Sequence, residues 1–181
     1  MKRTALALAA LLAMPVVSQA ADLSYSYLEG DYVHVDPDHL DNTDGFALRG
    51  SGAINDNFNV LAGWTKINQD APFRDTKAWY LGFGYHVPVA DRTDLFAEAA
   101  YNKETTFDND GYSARVGVRS ALTQNFEGSV FVAYQKLDNT EANRALGVSG
   151  QYKFTPNFGI NAEAALGNND KTILVGPRLS F

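Results

Sequence analysis

The sequence predicts an all-β chain, an antiparallel up-and-down transmembrane β-barrel of ten strands with both termini periplasmic. Three observations predict it. Short polar turn segments recur at near-constant spacing, the segments between them alternate in polarity, and aromatic residues gather at both ends of the apolar face. Eight strands is the alternative count, and it would require two of the candidate segments to be absorbed into long loops.

The turn segments come first because they set the period. Asn55-Asp56-Asn57-Phe58, Arg92-Thr93-Asp94-Leu95, Thr123-Gln124-Asn125-Phe126 and Thr155-Pro156-Asn157-Phe158 share polar turn residues followed by a large apolar one. Their spacings of 37, 31 and 32 residues match two strands with a turn and a loop. Asn, Asp, Pro and Thr suit tight turns because they tolerate unusual dihedrals or bond to their own backbone. Reading outward gives candidate strands near 24–35, 44–54, 58–67, 77–87, 95–103, 111–122, 126–137, 144–154, 158–167 and 171–181. A tilted membrane strand needs about 9–11 residues, which these lengths meet. The connections at 36–43, 68–76, 104–110 and 138–143 are longer and rich in Asp, Asn and Thr. Short periplasmic turns and longer external loops give this asymmetry.

Alternation separates a lipid face from a lumen face. Phe126, Gly128, Val130, Val132 and Tyr134 fall opposite Glu127, Ser129, Phe131, Ala133 and Gln135. Phe158, Ile160, Ala162, Ala164 and Leu166 oppose Asn161 and Glu163, and Tyr112, Ala114, Val116 and Val118 oppose Ser113, Arg115, Gly117 and Arg119. A soluble antiparallel barrel would alternate in the same way with the opposite meaning. Two aromatic bands argue for lipid. Tyr32, Trp64, Trp79, Tyr101, Tyr112 and Tyr134 lie toward the longer loops, while Phe58, Tyr85, Phe126, Tyr152, Phe154, Phe158 and Phe181 lie toward the short turns. Amphipathic rings at two rims match the girdles of a membrane barrel.

Residues 1–20 stand apart from the barrel domain at 21–181. Lys2 and Arg3 form a basic start, Ala5 to Val17 an uncharged apolar run, and Ser18-Gln19-Ala20 a small-residue cleavage site. This is the pattern of a secretory signal peptide, and the run falls short of the roughly 18 residues a membrane helix needs. Intact-mass measurement on outer-membrane fractions should therefore find Ala21 at the N-terminus, and a retained segment 1–20 would contradict the reading. Of fifteen basic residues, removal of two leaves thirteen against twenty-one acids, a formal charge of −8. That balance argues against nucleic acid as a partner. The lack of cysteine excludes a disulfide framework and a thiolate metal site.

The end of the chain places Ile173, Val175, Pro177, Leu179 and Phe181 on one face. It resembles the C-terminal signal, ending in Phe, that the barrel-assembly machinery reads on outer-membrane barrels. Pro177 departs from the pattern because it cannot donate a ladder hydrogen bond, and a bulge near the barrel seam is the expectation there. Together with Tyr25 to Val35 (YSYLEGDYVHV), these features resemble small opacity-type and OmpA-like outer-membrane barrels. The chain is also similar to a family of small barrels from plant-associated bacteria, once put forward as a secreted activator of immunity and a quorum signal. The resemblance implies a barrel, and its motifs are architectural.

The expected lumen carries Glu29, Glu98, Glu127 and Glu163 with Arg49, Arg115, Arg119, Lys153 and Arg178. Charges inside a narrow barrel persist when paired or hydrated, so a salt-bridged core is expected, with a solute-selecting constriction as the alternative. Glu98 and Glu127 are the expected partners of Arg115, because their strands flank its own. The histidines are His34, His39 and His86. His86 reads as an interior hydrogen-bonding residue. His39, between Asp38 and Asp41, is the one candidate for catalysis, and without a second acidic pair opposite it no catalytic residue is assigned. Residues 36–44 are acidic but lack the glycine and glutamate spacing of a calcium loop, so neither metal nor cofactor is assigned.

These readings point to an outer-membrane protein with a structural or surface-interaction role through its external loops. The rival classes are a small passive pore and, less favoured, a membrane protease or lipid-modifying enzyme. Expected partners are outer-membrane lipid and lipopolysaccharide, the export and assembly machinery, and a host or surface ligand at the loops. The oligomeric state is left open.

Overall fold

The computed structural model describes residues 23–37, 41–69, 74–138, 140–168 and 170–181. The expected signal peptide and the Asp38-His39 pair lie outside them.

Ten strands form among the described residues, each on one of the alternating segments. They are β1 (Tyr27–Pro37), β2 (Thr43–Ala53), β3 (Phe58–Asn68), β4 (Thr76–Ala90), β5 (Thr93–Glu104), β6 (Asn109–Ala121), β7 (Phe126–Leu137), β8 (Asn143–Lys153), β9 (Phe158–Gly167) and β10 (Asp170–Ser180). Neighbours pair in chain order and β1 pairs with β10, so the sheet is a closed antiparallel barrel without an edge. Closure matters because an open edge would leave backbone N–H and C=O groups unsatisfied in hydrocarbon. Three of the four short turns share one chemistry. In each a side-chain oxygen (Asn55, Thr123 or Thr155) accepts the backbone N–H three residues on, at 2.9–3.0 Å. Both ends of the described chain lie at this short-turn rim, where Phe181 N–H donates to the Ser26 carbonyl at 3.1 Å.

The interior is polar and the exterior apolar. The largest side chains with under 2% exposure are Glu29, Asn59, Asn161 and Asp31. By contrast Phe83 is 64% exposed, Val132 58% and Leu146 56%. A soluble barrel would bury the second group and expose the first; this arrangement fits hydrocarbon outside.

Pro177 corrects one expectation. No bulge forms at the seam: β10 stays in register with β9 through Gly176, Pro177 and Arg178. With β1 the register is also kept on both sides of the proline, but the pairs that would join Gly30 and Asp31 to Pro177 and Gly176 are missing. Alternate N–H groups of β10 face β1, as that of Phe181 does, so the nitrogen without a hydrogen faces Gly30. The strands stay close there: a Cβ on Gly176 would sit 1.9 Å from the Gly30 carbonyl oxygen. The register shift in the sheet lies instead in β4, between Pro88 and Ala90. Pro177→Ala restores the missing donor, so stability in a urea refolding titration should stay level or rise by about 1 kcal/mol. A loss of several kcal/mol would contradict this account of the gap.

Candidate functional site

Period 2 brings the lumen charges inward, and the register decides which of them meet. Glu29 on β1 stands opposite Arg49 on β2 and Arg178 on β10. Arg49 binds Glu29 through Nη2, donates from Nε to Asp31 Oδ2 at 2.8 Å, and reaches Glu163 Oε2 on β9 at 3.3 Å. Arg115 on β6 donates to the same Glu163 oxygen at 2.7 Å. Arg178 binds the other oxygen of Glu29 and reaches Gln151 Oε1 at 3.2 Å, while Asn161 donates to Glu29 at 3.1 Å. The chain Arg115–Glu163–Arg49 thus runs from β6 through β9 to β2, a bar of ion pairs across the lumen. Aromatic faces support two of these arginines: Arg115 lies 3.6 Å from the Phe131 ring centroid and Arg178 lies 4.2 Å from that of Tyr27.

A second cluster sits nearer the short turns. Arg119 donates to Glu127 Oε2 at 3.1 and 2.5 Å, and Lys153 pairs with the other oxygen. Arg119 also donates to the Ser24 carbonyl at 2.9 Å. The segment before β1 therefore enters the barrel mouth instead of extending the first strand. Tyr25 stacks flat on His86 at 3.4 Å, donates to Asp94 at 3.0 Å, and its carbonyl accepts from Ser51 at 2.6 Å. His86 is buried, as its parity implies, but its ring serves as a stacking partner and Nδ1 has no hydrogen-bond partner among the described residues.

The structure corrects the expected partners of Arg115. Glu127 stands opposite Ala121, six residues along β6 and about 20 Å away at strand rise. Glu98 is directly opposite Arg115, yet makes no ion pair among the described residues. The long guanidinium extends over Phe131 into the lumen, past its cross-strand neighbour, and meets Glu163. Glu98 instead lines a cavity of about 340 Å³ with Tyr27, Tyr80, Asn102, Arg115 and Glu163. Gln135, Asn143 and Asp170 carry that cavity toward the long-loop rim. Asp31, missing from the expected lumen set, is fully buried on Arg49. Its parity with Glu29 was the available signal.

The aromatic residues form two rims. Trp64 stands opposite Trp79 in register, and Trp79 and Tyr101 rings lie 5.7 Å apart. Tyr112 and Tyr134 lie 6.0 Å apart, and Tyr32 donates to Asp44 at 2.5 Å. At the short-turn rim Phe58 meets Tyr85 at 5.0 Å, Phe154 meets Tyr152 at 5.4 Å and Phe158 at 6.0 Å, and Phe126 pairs with Tyr152 in register. Ile173, Val175 and Leu179 face outward on β10 between these rims. At the long-loop rim His34 Nδ1 lies 2.7 Å from Asp44. Among the described residues no group of three His, Cys, Asp or Glu is placed to hold a metal ion.

Residues 4–143 match the family model described as the outer membrane protein beta-barrel domain, which is well over half of the chain. The chain belongs to that family. It is an outer-membrane protein. Among solved structures it is similar to the KdgM porin in complex with disordered oligogalacturonate, at 14% identity, 86% of this chain, 99% of that one and a TM-score of 0.52. An outer membrane channel from Pseudomonas putida F1 matches at 9% identity, 93% of this chain, 99% of that one and a TM-score of 0.52. At these identities the likeness is one of fold. A search of curated proteins finds no match. A shared barrel fold does not by itself assign a role, because one fold hosts many functions.

Proposed function

We propose that this barrel is closed to solutes and serves the envelope as a rigid structural protein whose external loops make surface contacts. One observation carries the reading: the Arg115–Glu163–Arg49 chain crosses the lumen and joins strands that are not neighbours. In a barrel of this width, side chains can fill the interior. Here Glu29, Asp31, Glu127 and Glu163 do so, each paired with an arginine or lysine that offsets its desolvation. The Tyr25–His86 stack adds a second obstruction at the short-turn mouth. In this reading the short-turn rim and both termini are periplasmic, segment 1–20 is a cleaved export signal, and the Phe181 end is read by the assembly machinery. No catalytic residue is assigned.

A passive pore is the second reading, favoured by the cavity above the bar and by Glu98, a carboxylate without an ion pair on its wall. Solute release separates the two. Vesicles carrying the refolded protein and loaded with a monosaccharide should empty no faster than protein-free vesicles. Rapid release, slowed by larger sugars, would establish the pore.

A further inference from the structure

Basic residues outside the lumen are distributed unevenly between the two rims. Lys66, Lys77, Lys103, Lys136, Arg144 and Lys171 all take the outward parity at the long-loop ends of their strands. At the short-turn rim Arg92 is the one basic residue outside the lumen among the described residues. Three of the six are engaged with carboxylates: Lys66 with Asp75 at 2.8 Å, Lys103 with Asp108 at 2.6 Å, and Lys171 with Asp36 at 3.4 Å. Lys77 and Arg144 make no ion pair among the described residues, and Lys136 meets a neutral partner, the carbonyl oxygen of Thr140.

Arg144 and Lys136 also stand over a lipid-facing groove. Register sets the rows: Val116, Val132 and Leu146 lie side by side, then Ala114, Tyr134 and Arg144, then Tyr112 and Lys136. The small Ala114 leaves a depression of about 530 Å³ between Val116, Val132, Tyr134 and Leu146, with Arg144 on its wall. Moving from the membrane middle outward, an amphiphile there meets an apolar channel, a guanidinium without an ion pair among the described residues, a pair of tyrosines and an ammonium. Simple snorkelling explains a long basic side chain at a rim. It does not explain the groove beneath one, nor the near absence of bases at the other rim.

We infer that the outer face of β6–β8 is a docking site for a phosphate-bearing glycolipid of the outer leaflet, lipopolysaccharide. A phosphate would sit between Arg144 and Lys136, and an acyl chain would lie along Val116, Val132 and Leu146. Arg suits this role because its planar fork matches phosphate oxygens two at a time. The inference rests on the long loops facing outward. Its test is read in detergent, so its failure is distinguishable from a failure of orientation or of the closed lumen.

The test is native mass spectrometry of the refolded full barrel titrated with bisphosphorylated lipid A, with dephosphorylated lipid A, and with phosphatidylglycerol. Bisphosphorylated lipid A should be retained at concentrations at least tenfold below the other two. Lys136→Gln with Arg144→Gln should weaken that retention at least fivefold, whereas Arg92→Gln at the opposite rim should leave it unchanged. Ala114→Trp fills the groove and keeps both charges, and should weaken retention comparably. It carries the test if the double variant fails to refold. Equal retention of phosphatidylglycerol or dephosphorylated lipid A overturns the inference. So does unchanged binding in the double variant and Ala114→Trp, or an equal loss in Arg92→Gln.

Discussion

Arg49→Met should destabilise the barrel by about 3–5 kcal/mol, the usual cost of removing one partner from a buried ionic cluster. The reason is the number of groups that depend on it. Arg49 alone touches Glu29, Asp31 and Glu163, and the first two side chains are fully buried. Without it Asp31 loses its one ion-pair partner among the described residues, and Glu163 is left with Arg115 alone. Urea refolding in detergent measures the loss. Adding Asp31→Asn to Arg49→Met removes the buried charge left without a partner and should recover part of the loss, so the two substitutions should be non-additive by about 1 kcal/mol or more. Strict additivity would mean that the two groups do not interact in the folded barrel.

Val132→Arg should cost about 2–4 kcal/mol, because it places a charge on the lipid face between Val116 and Leu146. Ala133→Arg, one residue on, should cost less than half as much. Ala133 points into the cavity, where the new side chain finds space and Glu98. A one-residue step therefore reverses the solvent, as the pleat requires. Equal costs for the two substitutions would contradict the assignment of faces.

The strands were legible in the sequence for a simple reason. In a membrane barrel one face must be apolar along its whole length, so alternation persists even in segments with little β-propensity, such as Ala97 to Tyr101. Turn chemistry was legible because the same side-chain cap recurs after Asn55, Thr123 and Thr155. Partner choice inside the lumen was not. Parity shows that Arg115 and Glu163 both point inward, but they lie three strands apart, and their meeting depends on barrel curvature and side-chain reach. Adjacency in the sheet favoured Glu98, which the structure leaves on the cavity wall. Asp31 and Tyr25 were missed for different reasons. Asp31 shares its parity with Glu29 and could have been included. Tyr25 reads as part of a strand starting at 24, because nothing local shows that the chain turns into the mouth to stack on His86. Pro177 reads as a break from sequence alone, since only the register reveals which neighbour its nitrogen faces.

Single-channel recording of the refolded wild-type barrel in a planar bilayer tests the central claim most directly. With the Arg115–Glu163–Arg49 bar across the lumen and Tyr25 in the short-turn mouth, the current should stay at the level of the protein-free membrane at either polarity. A stable, ohmic conductance step in every inserted molecule would show that the bar does not close the lumen, and would contradict the account.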